Sequence, residues 1–338
     1  MRTHVRRIAT SLFIAALSSM LFVPVTAREA RAQTAGKVHR VGFLAYGRRN
    51  PPDAPPLDIT KMRGPVPAFL QRLAKLGYVE GKNLHVEPRF GDYGQLKTLA
   101  IELAHEDVDV IFTLGARASR IAQKAVKTTP LVFFSCDPFE HVTQLAHPGG
   151  NVTGSTCMST ELSPKRLELL KELVPKASRV AYFSDGGDLD AWKRTRDAAP
   201  SLGITLKAFG YENRKQLPEA LKTVAKWKPD AMFVFADATL VAERKRLADF
   251  ALHQRLPTIY TFPVFARSGG LISYGSSIQE MLVLSADQVA AILGGARPGD
   301  LPVRRATIFH LVINLKTARA LGIQVPQSLL LQADRVIE

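Results

Sequence analysis

From residue 38 onward, short apolar runs alternate with amphipathic helical segments, and the series occurs twice in the same order. "VHRVGFLAYG" (38–47) is answered by "ASRVAYFSDG" (177–186), and "NLHVEPRFG" by "GITLKAFG". "DVDVIFTLGA" is answered by "KPDAMFVFAD", and "TPLVFFS" by "LPTIYTF". Val41 thus matches Val180, Asp109 matches Asp230, and Pro130 matches Pro257, with loop lengths alone differing. Strands separated by helices predict parallel sheets covered on both faces. Four matched elements in order predict two copies of one α/β unit rather than a short-period repeat.

The helical segments carry the pattern that such a unit requires. "VPAFLQRLAKLG" places Val66, Phe69, Leu70, Leu73 and Leu76 on one face, with Gly77 as its stop. "QLKTLAIELAHE" turns Leu96, Leu99, Ala100 and Leu103 inward. Later elements, "SYGSSIQEMLVLSADQVAAILGG" and "ATIFHLVINLKTARALGIQVP", return to complete the sheets, so more than one crossover joins the lobes. The reading divides the chain into a leader (1–32), a first lobe (37–155 plus 270–300) and a second lobe (156–269 plus 301–338).

The front end has its own logic. "MRTHVRR" is a basic stretch, "IATSLFIAALSSMLFV" is apolar, and "VTA" or "ARA" offers a small-x-small cleavage site. That layout predicts a cleaved secretory signal peptide and a periplasmic protein; an uncleaved anchoring helix is the alternative. The net charge of +15 includes five arginines and one glutamate within residues 1–32. The other basic residues are scattered over helices, as in "ERKRLADF", without interleaved aromatics, so no nucleic-acid partner is expected. No second segment is long and apolar enough to span a bilayer. Two cysteines, Cys136 and Cys157, are too few for a disulfide framework. An oxidising compartment permits one bridge between them, which spacing alone does not decide.

The strand ends carry no enzymatic signature. No G-x-G-x-x-G follows the first strand, and "GYVEGKN" lacks the spacing and the Ser/Thr of a phosphate loop. There is no G-x-S-x-G elbow, and the eight histidines show no H-E-x-x-H or paired metal spacing. The chain is therefore read as a non-enzyme with no cofactor and no metal; a hydrolase assembled from distant residues is the weakest alternative.

In open parallel sheets, ligands bind beyond the carboxyl ends of the strands. "FTLGARASRIA" is a strand that enters a helix through Gly115. The first backbone N–H groups of that helix, beginning at Ala116, lack partners and carry partial positive charge. A ligand carboxylate would satisfy them, with Thr113 adding a hydroxyl; Arg117 either adds charge or is solvated. At the next strand end stand Ser135 and Asp137, the latter a helix cap, a site residue or both. In the second copy Asp237 ends a strand and needs a partner: a ligand amine, a neighbouring N–H or Thr239. Asp185 is a further acidic candidate, and Tyr46 and Tyr274 are candidate aromatic walls.

"LGYVEGKNLHVEPR", "PGGNVTGST", "KRLELLKELVPKASRVAYF" and the tail "VINLKTARALGIQVPQSLLLQADRVIE" resemble one family of ABC transporter substrate-binding proteins, whose better-known members bind tryptophan and related amino acids. The resemblance runs from about residue 38 to the end. It implies a periplasmic-binding-protein fold of type I, with two Rossmann-like lobes closing over a small molecule. It also implies delivery of the ligand to an ABC permease in the inner membrane, and the protein is expected to act as a monomer. Asp137-Pro138 and Asp237 match family positions. Two segments depart from members that bind aromatic amino acids. "GRRNPPDAPPLDITKMRG" replaces a Gln- and His-containing run, and Gly115-Ala116-Arg117-Ala118 replaces Gly-Thr-Pro-Ala. The expected ligand is a small molecule with an acidic group, an amino acid or an aromatic acid. A sensory protein of the same fold, presenting its closed form to a receptor, is the alternative.

Overall fold

The computed structural model describes residues 36–47, 58–62 and 66–338. The expected leader (1–32) and the arginine- and proline-rich segment 48–57 lie outside the described residues.

The first copy supplies β1 (His39–Tyr46), β2 (Leu84–Gly91), β3 (Val110–Leu114), β4 (Leu131–Ser135) and β5 (Val152–Thr156). The second supplies β6 (Arg179–Ser184), β7 (Thr205–Gly210), β8 (Ala231–Val234), β9 (Thr258–Tyr260) and β10 (Ile272–Gly275). The chain ends with β11 (Arg304–Arg305), β12 (His310–Asn314) and β13 (Arg335–Ile337). They form a six-stranded sheet in the order β11-β5-β4-β3-β1-β2 and a seven-stranded sheet in the order β13-β12-β10-β9-β8-β6-β7. The β10–β12 pair is antiparallel and every other pair is parallel. This is an α/β fold of the type I periplasmic-binding-protein kind.

Sheet membership corrects two expected boundaries. β10 lies in the second sheet, although residues 270–275 were assigned to the first lobe. β11 lies at the edge of the first sheet, although the segment from 301 was assigned to the second. The cause is that the chain crosses three times. It passes from β5 to the second sheet, returns after β10 through the helix Ile278–Leu293, and crosses again between β11 and β12.

Strands buried on both faces explain why the sequence shows continuous apolar runs rather than alternation. Val41, Phe43, Val110, Phe112, Val132 and Phe134 point to one face of the first sheet, into a core shared with helices Val66–Lys75 and Ile278–Leu293. Leu44, Ile111, Leu131 and Phe133 point to the other, against helices Leu96–His105 and Ala116–Ala125. Leu96, Leu99, Ala100 and Leu103 are all buried, as the helical spacing requires.

The duplication holds at the level of single hydrogen bonds. The Asp109 carboxylate accepts the Arg40 N–H at 2.8 Å, and the Asp230 carboxylate accepts the Arg179 N–H at 2.8 Å. Ile111 N–H donates to the Pro130 carbonyl and Met232 N–H to the Pro257 carbonyl, each at 2.8 Å. These pairs fix where β3 and β8 begin beside their neighbours.

Arg166 ties two crossovers together. Its guanidinium is fully buried and donates to the Ser159 carbonyl at 2.7 Å and the Tyr274 carbonyl at 2.6 Å. Burial pulls its pKa down to about 9. Gly275 is required beside it, because a Cβ there would stand 2.1 Å from the Thr261 carbonyl oxygen and 3.1 Å from the Arg166 Nη2.

Candidate functional site

The carboxyl ends of the strands in the two sheets face a common cavity of about 380 Å³, within the usual range for small-molecule sites. From the first sheet come Tyr46 at the end of β1, Tyr93 beyond β2, Leu114 at the end of β3 with Gly115–Ala118 and Arg120 after it, and Phe134 near the end of β4 with Asp137 and Glu140 after it. From the second come Asp185 and Asp188 after β6, Phe235–Ala238 after β8, and Phe262 after β9.

One wall is a donor. Gly115 is the N-cap of the helix Ala116–Ala125 and has φ 103°, a left-handed conformation that glycine adopts at little cost. It offers no side-chain cap. The first bond inside the helix runs from Ser119 N–H to the Gly115 carbonyl at 2.9 Å. The amides of Ala116, Arg117 and Ala118 therefore have no acceptor within the helix, where the macrodipole is positive. Arg117 adds a guanidinium that lies 4.1 Å from the centre of the Tyr93 ring.

The opposite wall is an acceptor. Asp237 caps the helix Ala238–Ala242 by accepting the Leu240 N–H at 2.8 Å. The same carboxylate accepts the Tyr211 hydroxyl at 2.5 Å and the Tyr93 hydroxyl at 3.0 Å. Burial, followed by the charge of Asp237, pushes both phenols well above their usual 10, so both remain donors. Asp185 is less well supplied: its Oδ1 accepts the Gly187 N–H, from its own loop, at 3.0 Å. Burial first, then the charge of Asp237, raises Asp185 to about 6. Burial also raises Asp188, whose carboxylate accepts the Tyr182 hydroxyl, and Glu140, which pairs with Arg120 at 3.1 Å.

Of the residues expected at the site, Tyr46, Gly115, Ala116, Asp137, Asp185 and Asp237 line the cavity. Asp137 also caps the short turn Pro138–Glu140 by accepting the Phe139 N–H at 3.2 Å. Thr113, Ser135 and Tyr274 lie outside the lining. The Thr113 hydroxyl is buried and donates to Ser119 at 2.8 Å, and that of Ser135 donates to the Asp137 carbonyl at 2.8 Å. Both stabilise the turns instead of facing the cavity. The Tyr274 ring packs beside Phe309, with centroids 6.4 Å apart. Cys136 and Cys157 form a disulfide with Cα atoms 4.8 Å apart, joining the mouth of β4 to the chain just beyond β5.

The sequence reading missed Tyr93, Tyr211 and Arg120. A signal for the tyrosines was present: each follows a matched Phe-Gly pair, Phe90-Gly91 and Phe209-Gly210, at the end of the second strand of its copy. Among the described residues, no group of three or more His, Cys, Asp or Glu side chains is placed to hold a metal ion.

Comparison with known proteins gives these walls a setting. A curated tyrosine-binding protein of Clostridioides difficile is 25% identical over 265 residues, which is 76% of each chain. A solved structure of a conserved domain protein from Vibrio cholerae superposes with a TM-score of 0.78 at 27% identity, covering 89% of this chain and all of the other. An ABC domain in complex with L-Trp from Streptococcus pneumoniae shares the fold, with a TM-score of 0.76 at 23% identity over 88% of this chain and 99% of the other. The family model described as ABC transporter substrate binding protein matches residues 61–337, and the chain belongs to that family.

Proposed function

We propose that this protein is the exported solute-binding component of an ABC importer and that its ligand is a zwitterion of amino-acid type. The ligand enters between two lobes, each built on one sheet, which close by a hinge motion at the three crossovers. The protein performs no chemistry on it, acts as a monomer, and hands it to a permease in the inner membrane. The basic, then apolar, then small-residue order of residues 1–32 supports export to the periplasm.

The observation that carries this reading is the polarity of the cavity. Bare amides at Ala116–Ala118 form one wall, and the under-supplied Asp185 carboxylate stands on the other. The ligand carboxylate docks on the amides, and its ammonium group on Asp185. Asp237 already accepts three donors from the protein, so it is the lesser receptor of a ligand amine. Tyr46, Phe134, Phe235 and Phe262 give the remaining lining an aromatic character, which suits an apolar ligand side chain. The tyrosine-binding relative supports the same class of ligand.

A thermal-shift screen against amino acids, aromatic acids and simple amines tests this. Ligand at a hundred times its Kd stabilises the fold by about 2.7 kcal/mol. Amino acids should raise Tm, whereas aromatic acids without an amine should not. A screen in which aromatic acids alone raise Tm would remove Asp185 from the site.

A further inference from the structure

We propose that Tyr93 and Arg117 form a latch that holds the two sides of the cleft closed through bonds of the protein's own, with Asp237 as the latch's receiver. The inference rests on the reading that ligand enters between the lobes, and it goes further by assigning closure to particular side chains.

Two hydrogen bonds cross the cleft at one corner. The Tyr93 hydroxyl, beyond β2 of the first sheet, donates to Asp237 Oδ2 at 3.0 Å beyond β8 of the second. Arg117 Nη1, in the first turn of the helix after β3, donates to the Glu212 carbonyl at 3.0 Å beyond β7. The two donors brace each other. The Arg117 guanidinium lies over the Tyr93 ring, and the other face of the cluster is a stack of Tyr46 on Tyr93 with centroids 4.6 Å apart. The pair therefore moves as one unit.

The receiving side is prepared as well. Tyr211, next to Glu212, donates to the other oxygen of Asp237, and the Leu240 N–H donates to that same oxygen. Both come from the second sheet's own elements, so the carboxylate is held in place whether or not Tyr93 reaches it. Small residues permit the approach: a Cβ built on Gly115 would stand 3.8 Å from the Cβ of Ala238. Tyr93 and Tyr211 thus make bonds of the same chemistry to the same carboxylate, but one crosses the cleft and the other does not. That difference separates a latch from ordinary support.

Small-angle X-ray scattering on the protein without ligand, and on its Tyr93→Phe and Tyr211→Phe variants, decides the matter. Each variant loses one hydroxyl and keeps its ring, and circular dichroism melts verify that each is folded. Tyr93→Phe should raise the radius of gyration above that of the wild type, and Arg117→Ala should do the same. Tyr211→Phe should leave it unchanged. An unchanged radius for Tyr93→Phe, or equal expansion by both tyrosine variants, would overturn the latch. Because no ligand is added, this outcome is independent of whether amino acids bind. In a second arm, L-tyrosine is the probe. Its dissociation rate from Tyr93→Phe should rise about tenfold, the loss of one hydrogen bond to a charged group. A rate equal to that of the wild type would contradict the latch.

Discussion

The turn after β3 and the turn after β8 descend from the same position in a duplicated unit, yet they have opposite polarity. Their strands start alike, with Asp109 and Asp230 each accepting an N–H from the neighbouring strand. They end differently. The first turn closes on Gly115, which has no side chain to cap its helix. The second closes on Asp237, which caps its helix with a carboxylate. One copy therefore presents unsatisfied donors to the cavity, whereas the cap carboxylate of the other is taken up by donors of the protein, and the acceptor that remains on that side is Asp185, after β6. A polar axis across the cleft thus arises from a bare N-cap on one side and a carboxylate at a strand end on the other.

Four experiments separate the two copies. The largest effect concerns a feature of the first copy alone, the Cys136–Cys157 bridge, which closes a loop between residues 21 apart. Replacing both cysteines with serine should cost about 3 kcal/mol in urea unfolding, because the unfolded chain regains its loop entropy. The Gly115→Val variant comes next. A β-branched residue is strained at φ 103°, and its methyl groups would cover the bare amides. Affinity for the amino acid found by screening should fall at least a hundredfold, about 2.7 kcal/mol, by calorimetry.

Asp185→Asn tests the acceptor wall. It should weaken binding about tenfold at pH 7.5. In the wild type, affinity should decline as the pH is lowered through about 6, where Asp185 takes up a proton, and the variant should lose that dependence. Stability runs the other way. A carboxyl raised from 3.8 to about 6 favours the folded state below about pH 4, and that contribution is lost as the pH rises through 6. The variant without ligand should therefore have a higher Tm than the wild type at pH 7.5 and the same Tm at pH 4. The smallest effect is expected for Asp109→Ala, about 1 kcal/mol in chemical denaturation. Asp230→Ala should cost somewhat more, because its carboxylate also accepts the Ser178 N–H at 2.9 Å and the Ser178 hydroxyl at 3.1 Å; a smaller cost than for Asp109→Ala would contradict a shared strand-start bond.

Much of this architecture was legible because parallel strands and amphipathic helices write different periods into the chain. Leu96, Leu99, Ala100 and Leu103 were assigned to the core by spacing alone, and all four are buried. The placement of β10 and β11 was not legible. Which sheet a returning strand joins depends on crossovers such as the one Arg166 secures, and no local pattern encodes that. Gly115, Asp185 and Asp237 could be placed along the cavity because strand ends in a duplicated unit are easy to locate. Tyr93 escaped notice because its significance is its reach to Asp237, 144 positions away. Thr113 and Ser135 were misjudged for a related reason. A hydroxyl near a strand end can turn back to its own backbone or to a neighbour, and both do.

The polar axis is tested most directly by calorimetry on one matched ligand series: the amino acid selected by screening, its decarboxylated amine, and its deaminated acid. Each analogue removes the group that one wall receives, so both should bind at least tenfold more weakly than the parent. If either analogue binds as tightly as the parent, the wall facing the missing group does not hold the ligand, and the account of a donor wall opposed to the Asp185 carboxylate fails.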